Sequence, residues 1–298
     1  MTVRRKLAFI PLSVASALLF AQAPKPHRPP KVQFVEVEPH VRLEVLDWGG
    51  KGRPVVFLPG LGDTAHVYDQ LARKLTDAYH VYGVTRRGFG ASSVPRSGYT
   101  ADRLADDVLH VLDSVKLERP VLAGHSVAGE ELSSIGARRS DRIAGLIYMD
   151  AAWDRTYVPP KEKKQYGGEQ ESDFAKVGIP EQPKPVAGKF DPADEVRAGV
   201  QRPDYGRIRV PALALYAAAR SWAELMPGTP EFTDDEKRKA AGKVVESMVQ
   251  IRKHMAESFR TEVAGSRVVE IPGASHYLFR TNETDVLREI RTFLESLD

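Results

Sequence analysis

Along the chain, short apolar runs alternate with stretches of helical periodicity. Residues 31–60, KVQFVEVEPHVRLEVLDWGGKGRPVVFLPG, alternate apolar and polar positions twice and then end in an unbroken apolar run. Alternation marks strands buried on one face, and an unbroken run marks a strand buried on both. The segment therefore predicts an antiparallel pair feeding a buried strand at 54–58. HVYGVT (80–85), PVLAGHS (120–126), IAGLIYMD (143–150), VPALALYA (210–217) and SRVVEIPG (266–273) predict further strands. Helical patterns cover 100–117, with Thr100 as cap, then 127–140 and 281–297. Short apolar strands between helices require a mostly parallel, twisted sheet covered on both faces, an α/β architecture.

The pattern fails in two places. Between the strands at 143–150 and 210–217 lies a long connection containing PPKEKKQYGGEQESDFAKVGIPEQPKPVAGKFDPADE, rich in Pro, Gly, Lys and Glu. A connection of that length in a compact domain is a functional lid or a disordered linker, and a lid or insertion is expected at about 152–208. The N-terminus has Arg4, Arg5 and Lys6, an apolar run from Leu7 to Phe20, and then Ala21-Gln22-Ala23. Those are the three regions of a secretory signal peptide, assigned to 1–23. The run falls short of the roughly 20 residues a spanning helix needs. Pro24 sits poorly after a cut at Ala23, so cleavage after Ala21 and retention as an N-terminal anchor stay open. Residues 24–31 read as a Pro-rich tether and 32–298 as the folded domain.

Composition narrows the function. A chain of 298 residues, 42% of them hydrophobic, suits one large domain with an insertion. The net charge of +3 equals the contribution of Arg4, Arg5 and Lys6, so the rest of the chain sums to zero. That excess gives no support to a nucleic-acid partner. Cysteine is absent, which removes thiolate chemistry and disulfides and, with export, points to a bacterial periplasmic or secreted protein. No phosphate-cradling loop, dinucleotide fingerprint or metal-ligand cluster occurs, so neither a cofactor nor a metal is expected. After processing no membrane span is expected.

Candidate chemistry centres on VLAGHSVAGEE, residues 121–131. Gly124-His125-Ser126-Val127 fits the G-x-S-x-G turn between a strand and a helix, with Ala128 at the last glycine position and Gly129 one residue late. Small neighbours suit a strained turn packed against the preceding strand. Ser126 would stand at the carboxyl edge of a central strand, where open α/β sheets bind ligands. A serine hydroxyl needs a base. Of eight histidines, His276 follows the last strand and so lies on the same edge. His66, His80, His110 and His254 read as ordinary positions, and His125 as a packing residue. The base in turn needs a carboxylate. Asp150, ending the strand at 143–150, is favoured, with Asp154 second and Glu224 third. Glu130 and Glu131 suit the dipole of the following helix rather than catalysis. Trp153, Tyr157, Phe174 and Trp222 either line a substrate pocket or pack.

The order of these parts, from about residue 32 onward, resembles the α/β-hydrolase fold family. VVFLPGLGDT (55–64) resembles its oxyanion loop, with Pro59-Gly60 where His-Gly is usual. TRRGFGASS (85–93) resembles its R-G-x-G-x-S stretch, with Thr85 where an aspartate is common. PGASHYLF (272–279) resembles its late histidine loop. The resemblance implies backbone oxyanion donors at Val127 and Leu61, with Pro59 changing how that loop is braced. It places the acid after the strand at 210–217, where this chain has alanines, although some members carry it at the position of Asp150. The implied activity is hydrolysis of small carboxylic esters through Ser126, Asp150 and His276 by way of an acyl-enzyme. Amide or peptide hydrolysis of the proline iminopeptidase type, carbon–carbon hydrolysis and a non-catalytic binding role are the alternatives. Members with an aspartate nucleophile are excluded by the serine.

Overall fold

The computed structural model describes residues 29–158, 173–178 and 188–297. Its strands are β1 (Lys31–Glu38), β2 (Val41–Gly49), β3 (Pro54–Leu58), β4 (His80–Val84), β5 (Val121–His125), β6 (Gly145–Met149), β7 (Ala212–Ala218) and β8 (Arg267–Pro272). They form one sheet in the order β1-β2-β4-β3-β5-β6-β7-β8. From β4 outward to β8 every pairing is parallel, whereas β2 runs antiparallel to both β1 and β4. The α-helices are α1 (Asp69–Arg73), α2 (Ala101–Val115), α3 (Gly129–Arg138), α4 (Asp173–Lys176), α5 (Pro192–Ala198), α6 (Trp222–Leu225), α7 (Asp235–Glu262), α8 (Leu278–Thr281) and α9 (Glu283–Glu295).

Side chains of a strand point alternately to the two faces, and each face has its own core. On β5, Leu122 faces a core with Leu112 of α2, Leu132 of α3 and Phe259 of α7. Its neighbours Val121 and Ala123 face the other, with Leu71 of α1 and Ile290 and Phe293 of α9. Both faces are covered, which is why the central strands are apolar throughout.

Thr100 caps α2, its side chain accepting Arg103 N–H. The helix expected at 281–297 is α9, Glu283–Glu295, and the short α8 precedes it. No element is expected from the sequence over 235–262, yet α7 occupies it and is the longest helix described. Its buried line, Ala240, Val244, Met255 and Phe259, is helical in spacing but dilute, since alanines and charged residues fill most of the segment. Of the expected lid, residues 159–172 and 179–187 lie outside the described residues. So do the expected signal peptide and the tether as far as His27 and Arg28.

Candidate active site

The end of β5 is built for a sharp turn. Ser126 takes φ +55°, a left-handed conformation that a side chain bearing a Cβ adopts at a cost of about 1–3 kcal/mol. A single 3-10 turn, Ser126–Ala128, then leads into α3. Small residues are required here for steric reasons. A Cβ on Gly124 would lie 2.9 Å from the Ala128 Cβ, and one on Gly129 would overlap the Ala151 carbonyl oxygen. The turn thrusts the Ser126 hydroxyl above the carboxyl edge of the sheet.

Three side chains from three loops meet there. His276 Nε2 lies 2.9 Å from Ser126 Oγ, and His276 Nδ1 lies 2.6 Å from Asp150 Oδ2. Asp150 is buried and, like Ser126, has a positive φ, +47°. Its position is locked by β7: Asp150 N–H donates to the Leu215 carbonyl at 2.7 Å, and Asp150 Oδ1 accepts Ala217 N–H at 3.1 Å. The alanines at the end of β7 therefore supply a backbone donor that orients the carboxylate. An acceptor-only carboxylate on Nδ1 fixes the tautomer in which Nε2 is free to take a proton from Ser126.

The other candidate acids are occupied elsewhere. Asp154 Oδ1 accepts Thr156 N–H at 2.9 Å and the Thr156 hydroxyl at 2.5 Å. Glu224 Oε2 accepts Arg220 N–H at 2.6 Å. His125 packs, as expected of it, and also ties down the histidine loop. Burial, with the neighbouring His276 adding to it, pushes the His125 imidazole down to about 3. It is therefore neutral, and its Nε2–H donates to the His276 carbonyl at 2.9 Å. Its ring lies 4.5 Å from that of His276, tilted by 44°. His66, His80 and His110 pair with Asp69, Asp47 and the Asp106 carbonyl. His254 stacks on Tyr157 at 4.2 Å.

The loop after β3 lies against the Ser126 turn. A Cβ on Gly60 would come within 2.9 Å of His125 Nδ1 and 3.3 Å of Ser126 Cβ, so only glycine permits that approach. Tyr277, next to His276, donates its hydroxyl to Asp63 Oδ2 at 3.0 Å, joining the late loop to this one. Thr85, standing where the resemblance leads one to expect an aspartate, accepts Ala65 N–H at 3.0 Å and donates to Glu44 Oε2 at 2.7 Å. The carboxylate thus comes from the neighbouring strand β2.

Glu130 and Glu131 stand in the first turn of α3, as expected, and are buried there. Glu131 Oε1 accepts from Arg86 Nε at 2.5 Å, and Glu130 Oε2 accepts Gln201 N–H at 3.0 Å. Arg86 also donates to the Pro59 carbonyl at 2.9 Å and the Gly60 carbonyl at 3.3 Å. Periodicity carries no signal for such long-range pairs; two adjacent acids opening a helix beside a Ser turn was the only hint. All four candidate pocket aromatics have packing partners. Trp153 meets Tyr216 at 6.0 Å, Tyr157 stacks on His254, and Phe174 and Trp222 pack against the cluster of Val177, Ala240, Ala241 and Val244.

A mostly parallel sheet carrying a serine, a histidine and an aspartate on its carboxyl edge defines an α/β hydrolase. Residues 55–289 match the family model described as "Alpha/beta hydrolase family", and the chain belongs to that family. It is 24% identical over 261 residues to a 2-(acetamidomethylene)succinate hydrolase of Mesorhizobium japonicum, covering 83% of this chain and 90% of that protein. Over 104 residues it is 32% identical to a putative non-heme haloperoxidase of Mycobacterium phage D29, spanning 35% of this chain and only 37% of the relative. Among solved structures, an esterase from Exiguobacterium antarcticum superposes with a TM-score of 0.61 at 18% identity, covering 89% of this chain and 100% of that one. That last likeness concerns the fold alone.

Proposed function

We propose that this hydrolase cleaves carboxylic esters of small molecules with Ser126 as nucleophile, His276 as general base and acid, and Asp150 as the acid that orients it. The observation that carries the reading is the unbroken relay from Ser126 Oγ to His276 to Asp150, at 2.9 and 2.6 Å. A fold hosts many activities, and function resides in the site it carries. Ser126 Oγ attacks the ester carbonyl while His276 Nε2 takes its proton. The carbonyl oxygen, now an oxyanion, accepts from the backbone N–H groups of Leu61 and Val127. The tetrahedral intermediate collapses, and His276 returns the proton to the departing alcohol. Water, deprotonated by His276, attacks the acyl-enzyme; collapse frees the carboxylic acid and restores the serine.

A non-catalytic role is disfavoured because a binding protein has no need of a serine held at positive φ beneath a base. The insertion at 152–208 is read as a lid, and the protein as exported, periplasmic or secreted. The test is Ser126→Ala. It should abolish hydrolysis of a p-nitrophenyl ester panel and covalent labelling by a fluorophosphonate while the circular dichroism spectrum is unchanged. Undiminished labelling of that variant would sink the assignment.

A further inference from the structure

We infer that Arg86 is a positioning residue for the oxyanion hole, aiming the Leu61 N–H by holding the carbonyl at the other end of the same peptide. The inference rests on the reading of Leu61 and Val127 as the two donors. It concerns a residue that no chemical step requires to touch substrate.

The Gly60–Leu61 peptide is a rigid plane, and no cis peptide occurs among the described residues. In a trans peptide the carbonyl and the N–H point in opposite directions. Fixing the Gly60 oxygen therefore fixes the line along which Leu61 N–H points. Arg86 Nη1 donates to that oxygen at 3.3 Å, and Arg86 Nη2 donates to the preceding Pro59 oxygen at 2.9 Å. Two successive carbonyls gripped by one planar guanidinium leave the loop little rotational freedom. On its other side the loop meets His125 and Ser126, against which Gly60 has no room for a side chain.

The third arm of Arg86 connects the two donors. Arg86 Nε donates to Glu131 Oε1 at 2.5 Å, with both side chains less than 5% exposed. Glu131 lies one helical turn beyond Val127. One buried ion pair therefore ties the loop carrying Leu61 N–H to the helical turn carrying Val127 N–H. Oxyanion stabilisation depends on donors aimed before charge develops, so that nothing reorganises during reaction. A guanidinium on the Gly60 carbonyl also polarises that peptide and strengthens its N–H as a donor. With Pro59 where the family resemblance supplies a histidine, Arg86 is the brace this chain uses.

The test compares the full chain with Arg86→Met, Arg86→Lys and Arg86→Met/Glu131→Gln. The double variant keeps the experiment informative if Arg86→Met alone fails to fold, because Glu131 would be left buried without a counter-charge. For p-nitrophenyl acetate, kcat/KM should fall about 10²-fold in either methionine variant. Affinity for a trifluoromethyl ketone, which forms an oxyanion on Ser126, should fall in parallel. Affinity for the corresponding secondary alcohol, which forms none, should not change, and Arg86→Lys should recover part of the loss. A merely structural role would not separate the ketone from the alcohol. A folded methionine variant with both kcat/KM and ketone affinity within about threefold of the parent would overturn the inference.

Replacing Leu61 by its α-hydroxy acid removes only the N–H and tests the underlying reading independently. If that ester is silent, the donor assignment fails and the inference falls with it. If the ester is damaging and the Arg86 variants are silent, only the inference fails. Damage by both that adds in the combined protein would also refute it, since Arg86 would then act elsewhere. Damage by both without additivity supports it.

Discussion

Glu130 lies one helical turn beyond Ser126, with its carboxyl group buried and its Oε1 3.8 Å from Arg155 Nε. Burial pushes it up to about 7 from the ordinary 4.5, against the opposing pull of Gln201 N–H and Arg155. Between those two values the folded protein holds a proton that the unfolded chain has released. The resulting stabilisation is complete below 4.5 and is lost as pH rises through 7. Glu130→Gln cannot lose it. The stability of this variant relative to the parent should therefore climb across that window, by up to about 3 kcal/mol, and then level off. Urea unfolding at a series of pH values reads this directly, and a flat difference would contradict it. For the acid, Asp150→Asn keeps the shape but loses the charge that stabilises a His276 imidazolium. In the serine-protease template such a change costs about 10⁴ in turnover. Asp150→Asn should fall by a comparable factor and Asp154→Asn by less than about tenfold, with p-nitrophenyl acetate hydrolysis as the measure. The reverse ranking would mean that the acid has been misassigned.

At the scale of elements, the same glycine-to-alanine change has opposite consequences in α3 and α7. Gly129 opens α3 against the loop after β6, and its added Cβ would meet the Ala151 carbonyl. Backbone cannot yield as a flexible side chain does, so Gly129→Ala should cost about 1–3 kcal/mol and slow fluorophosphonate labelling of Ser126. Gly242, exposed within α7, has nothing within 4 Å of its absent Cβ. There alanine only restricts the unfolded chain, and Gly242→Ala should stabilise by about 0.4–1 kcal/mol with activity unchanged. Chemical denaturation of the two variants side by side checks both signs. The two helices also differ in legibility. The strand before α3 and the Gly-x-Ser turn are local signals, strong enough to read in a short window. The buried positions of α7 include three alanines, Ala240, Ala241 and Ala256, and its apolar face adds two residues that are only partly buried, Met248 and Ile251; a dilute stripe of that kind has little periodic contrast.

For the whole molecule, the fold brings side chains 150 and 126 residues apart in sequence into hydrogen-bonding distance, His276 with Ser126 and with Asp150. Parallel strands make this possible, because every carboxyl end faces one edge. The segment 1–23 is expected to be removed on export. The mature protein from its exporting host should begin after Ala21 or Ala23, as read by intact-mass and N-terminal peptide analysis. An intact segment from Met1 to Phe20 on membrane-associated protein would show retention as an anchor instead.

The fold was legible because its cause is local: apolar runs, helical spacing and a cap at Thr100 recur within windows of a dozen residues. Ser126 and His276 were legible for a related reason, since each follows directly from the end of a strand and strand ends define the edge. That Asp150, rather than Asp154 or Glu224, meets His276 needed coordinates. Asp150 reaches His276 because β7 donates Ala217 N–H to its carboxylate, whereas Asp154 turns back on Thr156. The buried partners of the loop after β3 were likewise invisible in the sequence. Arg86 meets Glu131 across 45 residues and Pro59 across 27, and an ion pair or a side-chain grip on a carbonyl leaves no periodic trace. Patterns in the chain determine which faces are buried and where strands end; which polar groups satisfy one another inside is settled only when the strands are in register.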